Sequence, residues 1–379
     1  MNLMTWQSLP FALASANDGL KPSSELEKLQ KALGSEAAKR SAELLEGIQR
    51  YLSTPYTRHI SEPPAIWKQG SSRLLNYSLK PSPSGRGLGE GTALLFIPSL
   101  INRYYILDLK PDRSLLRYLS GQGIRPFVLD WGVPGKDESD FGIDDYVNQR
   151  VLPAIDFLHR TTGENIALAG YCMGGVLSLA AAQLAPKKLS SLSLFATPWD
   201  FHCQSFAPFI LGGQWQSMID QALSAESNVP AEWVQSLFYM TDPWVFEQKF
   251  RRFFAMDPGS TAAKDFVALE RWVNDGVPMT ARVARDTLLG WAQKNILATG
   301  DWRLGAKSID PKKIKLPTFM VIPKNDHVVP FDCAWPLAEL MNHATILKPS
   351  SGHVGMMVGQ RASKECWEPF SSWLAALHK

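Results

Sequence analysis

Six residues constrain this chain more than any others. Gly170-Tyr171-Cys172-Met173-Gly174-Gly175 follows the apolar run Asn165–Ala169 and opens a second apolar run, Val176–Ala185. The pattern demands a tight turn between a buried strand and a buried helix. Glycines two before and two after Cys172 remove side chains that would collide in such a turn. The residue at its apex is held at the carboxyl edge of a sheet and at the start of a helix. There the helix dipole and free backbone N–H groups favour a thiolate and an oxyanion. The plain alternative is a buried cysteine in a Gly-rich turn. The strand before it and the helix after it favour a nucleophile. Residues 166–185 are also the most membrane-like window, but their glycines break it into pieces too short to span a bilayer.

Other apolar runs extend the pattern. Ala93–Ile97, Pro126–Leu129, Leu189–Ala196, Pro317–Ile322 and Ala344–Leu347 are short, and most are bounded by Gly, Pro or Asp. With helical stretches between several of them, they predict an α/β fold: a mostly parallel sheet with helices on both faces. The stretch 199–312 shows no clear strand and holds seven tryptophans, among them Trp215, Trp272 and Trp302. It reads as a helical insertion between two sheet strands. These features place a catalytic domain at 86–379. Residues 1–85 read as a helical and irregular segment: loop over 1–22, a helix from Ser24 and a proline-rich connector over 53–67. Ser24 and Glu27 have capping-box spacing, and leucines recur at helical intervals up to Leu52. That apolar face packs on the chain's own core or on a partner. Residues 82–91 read as an exposed Gly/Ser-rich loop.

Composition excludes several function classes. The chain has 379 residues, 45% of them hydrophobic and 20% charged, so it can bury a sizeable core. A formal net charge of +3 argues against a dedicated nucleic-acid binder. The four cysteines, Cys172, Cys203, Cys333 and Cys366, form no CxxC pair. They indicate thiols in a reducing compartment, hence a cytoplasmic protein. The N-terminus lacks the Lys/Arg region of a signal peptide.

A nucleophile at such a turn calls for an acid and then a histidine later in the chain. Asp326 lies just past the strand-like run 317–322, and His353 lies in Ser351-Gly352-His353-Val354-Gly355 after the final strand-like run. The intervening segment suits one helix (Cys333–Met341) and one strand. Among seven histidines, His353 alone combines that position with flanking glycines. His327 is the rival, and its place beside the acid suggests a supporting contact to Asp326. His353 would accept the Cys172 proton, and Asp326 would orient the imidazole. The backbone N–H of Met173 would form half of an oxyanion hole. The other half should come from the loop after Ala93–Ile97, near Leu100 and Ile101.

Gly-Tyr-Cys-x-Gly-Gly resembles both dienelactone hydrolases and polyhydroxyalkanoate synthases. The rest of the chain separates them. Pro98-Ser99-Leu100-Ile101-Asn102-Arg103-Tyr104-Tyr105-Ile106-Leu107-Asp108-Leu109 resembles a synthase signature. So do Asp130-Trp131-Gly132, Asp144-Asp145-Tyr146, Thr197-Pro198-x-Asp200-Phe201, Trp272-x-Asn274-Asp275, Gln293-Lys294-Asn295, Asp326-His327-x-Val329-Pro330 and Gly352-His353-Val354-Gly355. Dienelactone hydrolases are shorter and have no large insertion between nucleophile and acid.

The resemblance, over about residues 90–360, implies an α/β-hydrolase fold and an acyltransferase. Cys172 would take the acyl group of an (R)-3-hydroxyacyl-CoA as a thioester and release CoA. A 3-hydroxyl would then attack and lengthen a polyester. Asp326 would also help to activate that hydroxyl, and the insertion 199–312 would be a cap. No cofactor is implied, since the CoA thioester is a substrate. Implied partners are a second copy or a second synthase subunit, with a place at the polyester granule surface. Residues 1–85 lack the family's Pro-x-Asn-Phe stretch. Arg103 meets CoA phosphates in one reading and is a solvated charge in the other. A Cys-dependent esterase or thioesterase on the same fold is the alternative activity, and a catalytically silent granule or subunit-binding protein is a third reading.

Overall fold

Every expected apolar run becomes a strand of one sheet in the computed structural model, which describes residues 24–78, 91–205, 220, 228–241 and 243–377. The loops expected at 1–22 and 82–91 lie, apart from Gly91, outside the described residues.

Eight strands build the sheet: β1 (Ala65–Gln69), β2 (Ser72–Asn76), β3 (Ala93–Ile97), β4 (Arg125–Asp130), β5 (Ile166–Tyr171), β6 (Leu189–Phe195), β7 (Thr318–Val321) and β8 (Thr345–Leu347). Their spatial order is β1-β2-β4-β3-β5-β6-β7-β8. β1 and β2 are antiparallel to each other, and β2 is antiparallel to β4. All remaining pairs are parallel. Every residue of β3, β4 and β5 is buried. Continuous apolar runs are what central strands covered on both faces require.

Helices α2 (Leu115–Gly121), α3 (Leu152–Thr162) and α4 (Met173–Leu184) follow β3, β4 and β5 in the chain; α1 (Ser24–Ser53) precedes the sheet. Ser114 Oγ accepts the Arg117 N–H and starts α2. Gly163, in a left-handed conformation at φ 75°, ends α3.

β1 and β2 fall within the stretch expected to be helical and irregular. Leu74 and Leu75 of β2 are fully buried. Gly70, at φ 57°, makes the turn between the two strands. Each strand has only five residues, too few for an alternating pattern to stand out beside the prolines.

The insertion supplies α5 (Ala231–Thr241), α6 (Pro243–Phe254) and α7 (Thr261–Val273). Contrary to the strand-free reading, it also carries two short ribbons. Residues 228–229 pair with 279–280, and 303–304 pair with 307–308. Beyond it come α8 (Phe331–Leu340) after β7 and α9 (Glu368–Leu377) at the end of the described chain.

The described chain divides into two compact units, 24–57 with 243–267 and the remainder, so the division does not follow the expected boundary at residue 85. In the smaller unit α1 packs on α6. Tyr51 meets Phe250 edge to face at 5.7 Å, and Phe253 stacks on Phe266 at 4.3 Å. A side chain at Gly47 would overlap the Phe250 carbonyl. The α1 face at Leu44, Ile48 and Tyr51 therefore packs on the chain's own core. Leu29 and Leu33 are exposed. In the larger unit the sheet forms the centre, with Phe96, Phe195, Phe319 and Phe370 clustered between sheet and α9.

Candidate active site

The turn between β5 and α4 has the expected form. Cys172 sits at φ 56° and ψ −127°, a region that residues with a side chain rarely occupy. Its N–H donates to Phe195 O at 2.8 Å, and its carbonyl accepts the Gly175 N–H at 2.9 Å. The glycines explain how the strain is tolerated. A side chain at Gly174 would overlap the carbonyl oxygens of Ile97 and Pro98, and one at Gly175 would overlap the Thr197 side chain. One at Gly170 would run into Gly174 and Ser178. Cys172 is partly accessible, whereas Cys203, Cys333 and Cys366 are buried. Met173 begins the helix, so its N–H lies in the first turn, where no preceding carbonyl is in reach.

Asp326 and His353 come together from the loops after β7 and β8. His353 Nδ1 lies 2.8 Å from Asp326 Oδ2. Asp326 Oδ1 accepts the N–H groups of Val328 and Val329, both at 2.8 Å. The Asp326 side chain has no exposed surface, and His353 is 8% exposed. The two loops are tied beyond the strands: Lys324 N–H donates to Pro349 O at 3.0 Å and Asn325 Nδ2 to Ser350 O at 2.8 Å. Burial alone would pull the His353 imidazole down. The charges of Asp326 and Cys172, with hydrogen bonds to both, outweigh it and push His353 up to about 10.

His327 is a correction. It is exposed, and the contacts that fix Asp326 come from the next two backbone amides. A loop that wraps its own carboxylate needs no side chain for the task. His159, His202 and His343 contact backbone carbonyls outside this site.

Tyr171 was not singled out in the sequence. Its ring lies against the His353 imidazole, centroids 5.0 Å apart and planes inclined by 32°, and its hydroxyl donates to His353 O at 3.4 Å. An aromatic residue directly before the nucleophile was the available signal.

A cavity of about 160 Å³ opens beside the sulfur. Cys172, His353 and Tyr171 meet Ser99, Ile106 and Trp272 in its wall. The loop after β3 forms one side, with Pro98 O held by Trp131 Nε1 at 3.1 Å. The Ile101 N–H, expected to face a substrate oxygen, instead donates to Ser99 Oγ at 3.3 Å. A Ser hydroxyl two residues back competes for that amide.

Residues 272–277 of the insertion clasp the same loop. Trp272 Nε1 donates to Arg103 O at 2.8 Å, and Val277 N–H to Ile101 O at 3.0 Å. Asn102 pairs with Gly276 as an antiparallel bridge. Outside these, Asp275 accepts from Tyr105 Oη at 2.8 Å and from Arg103 Nε at 3.4 Å. Arg103 is therefore neither unpartnered nor simply solvated. The Trp-x-Asn-Asp motif noted in the sequence supplies this clasp.

A partly accessible cysteine, a buried acid–histidine pair and an apolar cavity are a set of groups that can transfer an acyl group through a covalent thioester. Comparisons with known proteins agree in fold. A family model described as the alpha/beta hydrolase fold matches residues 92–360. A poly(3-hydroxyalkanoate) polymerase subunit of Haloferax mediterranei is 29% identical over 314 residues, which cover 82% of this chain and 63% of that protein. This chain thus spans less than two thirds of that relative. The corresponding subunit of Thiocystis violacea is 28% identical over 352 residues, covering 90% of this chain and 96% of that protein. A solved lipase-like structure from Sulfolobus solfataricus matches with a TM-score of 0.52 at 15% identity, over 85% of this chain and 99% of its own. The chain therefore belongs to the α/β-hydrolase fold family, with poly(3-hydroxyalkanoate) polymerases among its sequence relatives.

Proposed function

We propose that this chain is an acyltransferase that polymerises (R)-3-hydroxyacyl-CoA into a polyester. The observation that carries the reading is that Cys172 and His353 line one apolar cavity with Asp326 bonded behind His353, in a chain similar over 90% of its length to a poly(3-hydroxyalkanoate) polymerase subunit.

The Cys172 sulfur attacks the thioester carbonyl, and its proton resides on His353. The oxyanion that forms is met by the Met173 N–H and by a donor from the loop after β3. CoA leaves as its thiol with the His353 proton, and the acyl group stays on Cys172 as a thioester. A 3-hydroxyl then attacks that carbonyl and gives its proton to His353. The ester bond forms and the sulfur is released. Asp326 supports the imidazolium in both halves. Its two oxygens are already taken by His353 and two amides, which favours His353 over Asp326 as the base for the incoming hydroxyl.

The apolar residues Ile106, Val273, Val328 and Val354 in the cavity wall favour an alcohol over water at the second step. The polyester surface and a second copy or second subunit belong to the same reading as the place of work and the partners.

Incubation of the pure protein with (R)-3-hydroxybutyryl-CoA tests it. CoA release with insoluble polymer supports polymerisation. CoA release with free hydroxyacid makes the protein a Cys-dependent thioesterase. Full activity in Cys172→Ala overturns the covalent mechanism, and no CoA release from the wild-type protein points to a silent granule or subunit-binding role.

A further inference from the structure

Ser99 and Ile101 of the loop after β3 both line the cavity, and each carries a hydrogen-bond donor, the Ser99 hydroxyl and the Ile101 N–H. They are not equivalent. The N–H points at Ser99 Oγ, 3.3 Å away. That contact uses one lone pair of the hydroxyl and leaves its proton free to donate. Among the described residues the hydroxyl proton has no hydrogen-bond acceptor. Ser99 is 9% exposed and lines the cavity with Cys172 and His353.

Its position relative to the nucleophile is fixed from two sides. The carbonyls of Ile97 and Pro98 lie so close to Gly174 that a side chain there would overlap both. The chain therefore reaches Ser99 directly alongside the first turn of α4, where the Met173 N–H is found. On the other side, Trp131 holds Pro98 O, and the clasp holds Ile101 O and Arg103 O. Donors set before the reaction, in a site of this kind, are what stabilises a developing oxyanion.

We propose that Ser99 Oγ–H is the second oxyanion-hole donor, opposite the Met173 N–H, and that the Ile101 N–H acts behind it. The Ile101 amide polarises the hydroxyl, and the hydroxyl donates to the oxygen of the tetrahedral intermediate. No proton changes owner in this contact. The proposal rests on the acyl-transfer reading of Cys172.

The test uses the full chain with Ser99→Ala and Ser99→Thr. Two rates are measured: turnover of (R)-3-hydroxybutyryl-CoA, and alkylation of Cys172 by iodoacetamide. Alkylation displaces iodide at a saturated carbon and develops no oxyanion. Ser99→Ala is expected to lower kcat by about 10²–10³-fold, with KM and the alkylation rate changed by less than about threefold. Ser99→Thr should recover most of kcat. An unchanged kcat in Ser99→Ala would show that the freed Ile101 N–H serves as well, and would overturn the assignment. A parallel fall in kcat and alkylation would reduce Ser99 to a structural residue and also overturn it. Wild-type protein that keeps its turnover after complete alkylation would instead remove the Cys172 reading itself.

Discussion

His353 Nδ1 stands 2.8 Å from Asp326 Oδ2, and Asp326 spends its other oxygen on the amides of Val328 and Val329. The carboxylate is held by three donors and exposed to none of the solvent. An orienting group in this position fixes the tautomer and stabilises the charged imidazole.

Asp326→Asn should therefore lower kcat by roughly 10³–10⁴-fold while Cys172 remains in place. His353 is raised from 6.5 to about 10, burial opposing and the anions prevailing. A raised histidine stabilises the fold fully below about pH 6.5, and that stability is lost as pH climbs toward 10. Thermal unfolding across this window should show the melting temperature falling with pH more steeply in wild type than in Asp326→Asn. An NMR titration should find the His353 midpoint lower in the variant. Equal slopes and equal midpoints would mean that Asp326 does not hold the proton on His353.

The Asp275 contacts to Arg103 and Tyr105 lie on the surface, where ion pairs contribute about 0–1 kcal/mol. Asp275→Ala should cost no more than that in denaturant unfolding. It should nevertheless reduce kcat, by about tenfold, because the loop it clasps carries Ile101 and Ser99 and small misplacements are costly. Trp272→Phe removes the bond to Arg103 O and should cost about 0.5–1.5 kcal/mol. Wild-type kcat in both variants would show that the clasp is irrelevant to the site.

Gly174→Ala places a methyl group against the backbone carbonyls of Ile97 and Pro98, the second of them held by Trp131. Overpacking of this kind costs about 1–3 kcal/mol or more. Urea titration should show the loss, and a variant with wild-type stability would mean that the loop after β3 does not press on the turn.

Phe370 of α9 is fully buried and meets Phe96, Phe195 and Phe319. Phe370→Ala should destabilise by about 3–5 kcal/mol. Because the ring is outside the cavity wall, the folded fraction should keep wild-type KM in steady-state kinetics.

Much of the site was legible because its parts are local. The Gly-x-Cys-x-Gly spacing needs only the chain's own sterics, and the strands that precede Cys172 and Asp326 are buried runs recognisable without partners. β1 and β2 were not legible, since β1 is a largely exposed edge strand and β2 carries only a short apolar pair, Leu74-Leu75. The exposure of His327 was not legible, because adjacency in sequence does not show whether a side chain or the backbone satisfies a carboxylate. The two-part division of the insertion depends on α1 packing against α6, a contact between segments about 200 residues apart.

The sequence by itself determined the tight turn at Cys172, the order of Cys172, Asp326 and His353 on successive strand ends, and the α/β class. These follow from short-range sterics and from the solvent preference of consecutive residues. Only the tertiary structure decided that Tyr171 stacks on His353 and that residues 272–277 clasp the loop after β3. Those contacts join atoms whose separation is set by how sheet, turn and insertion pack together, and no local pattern encodes such distances.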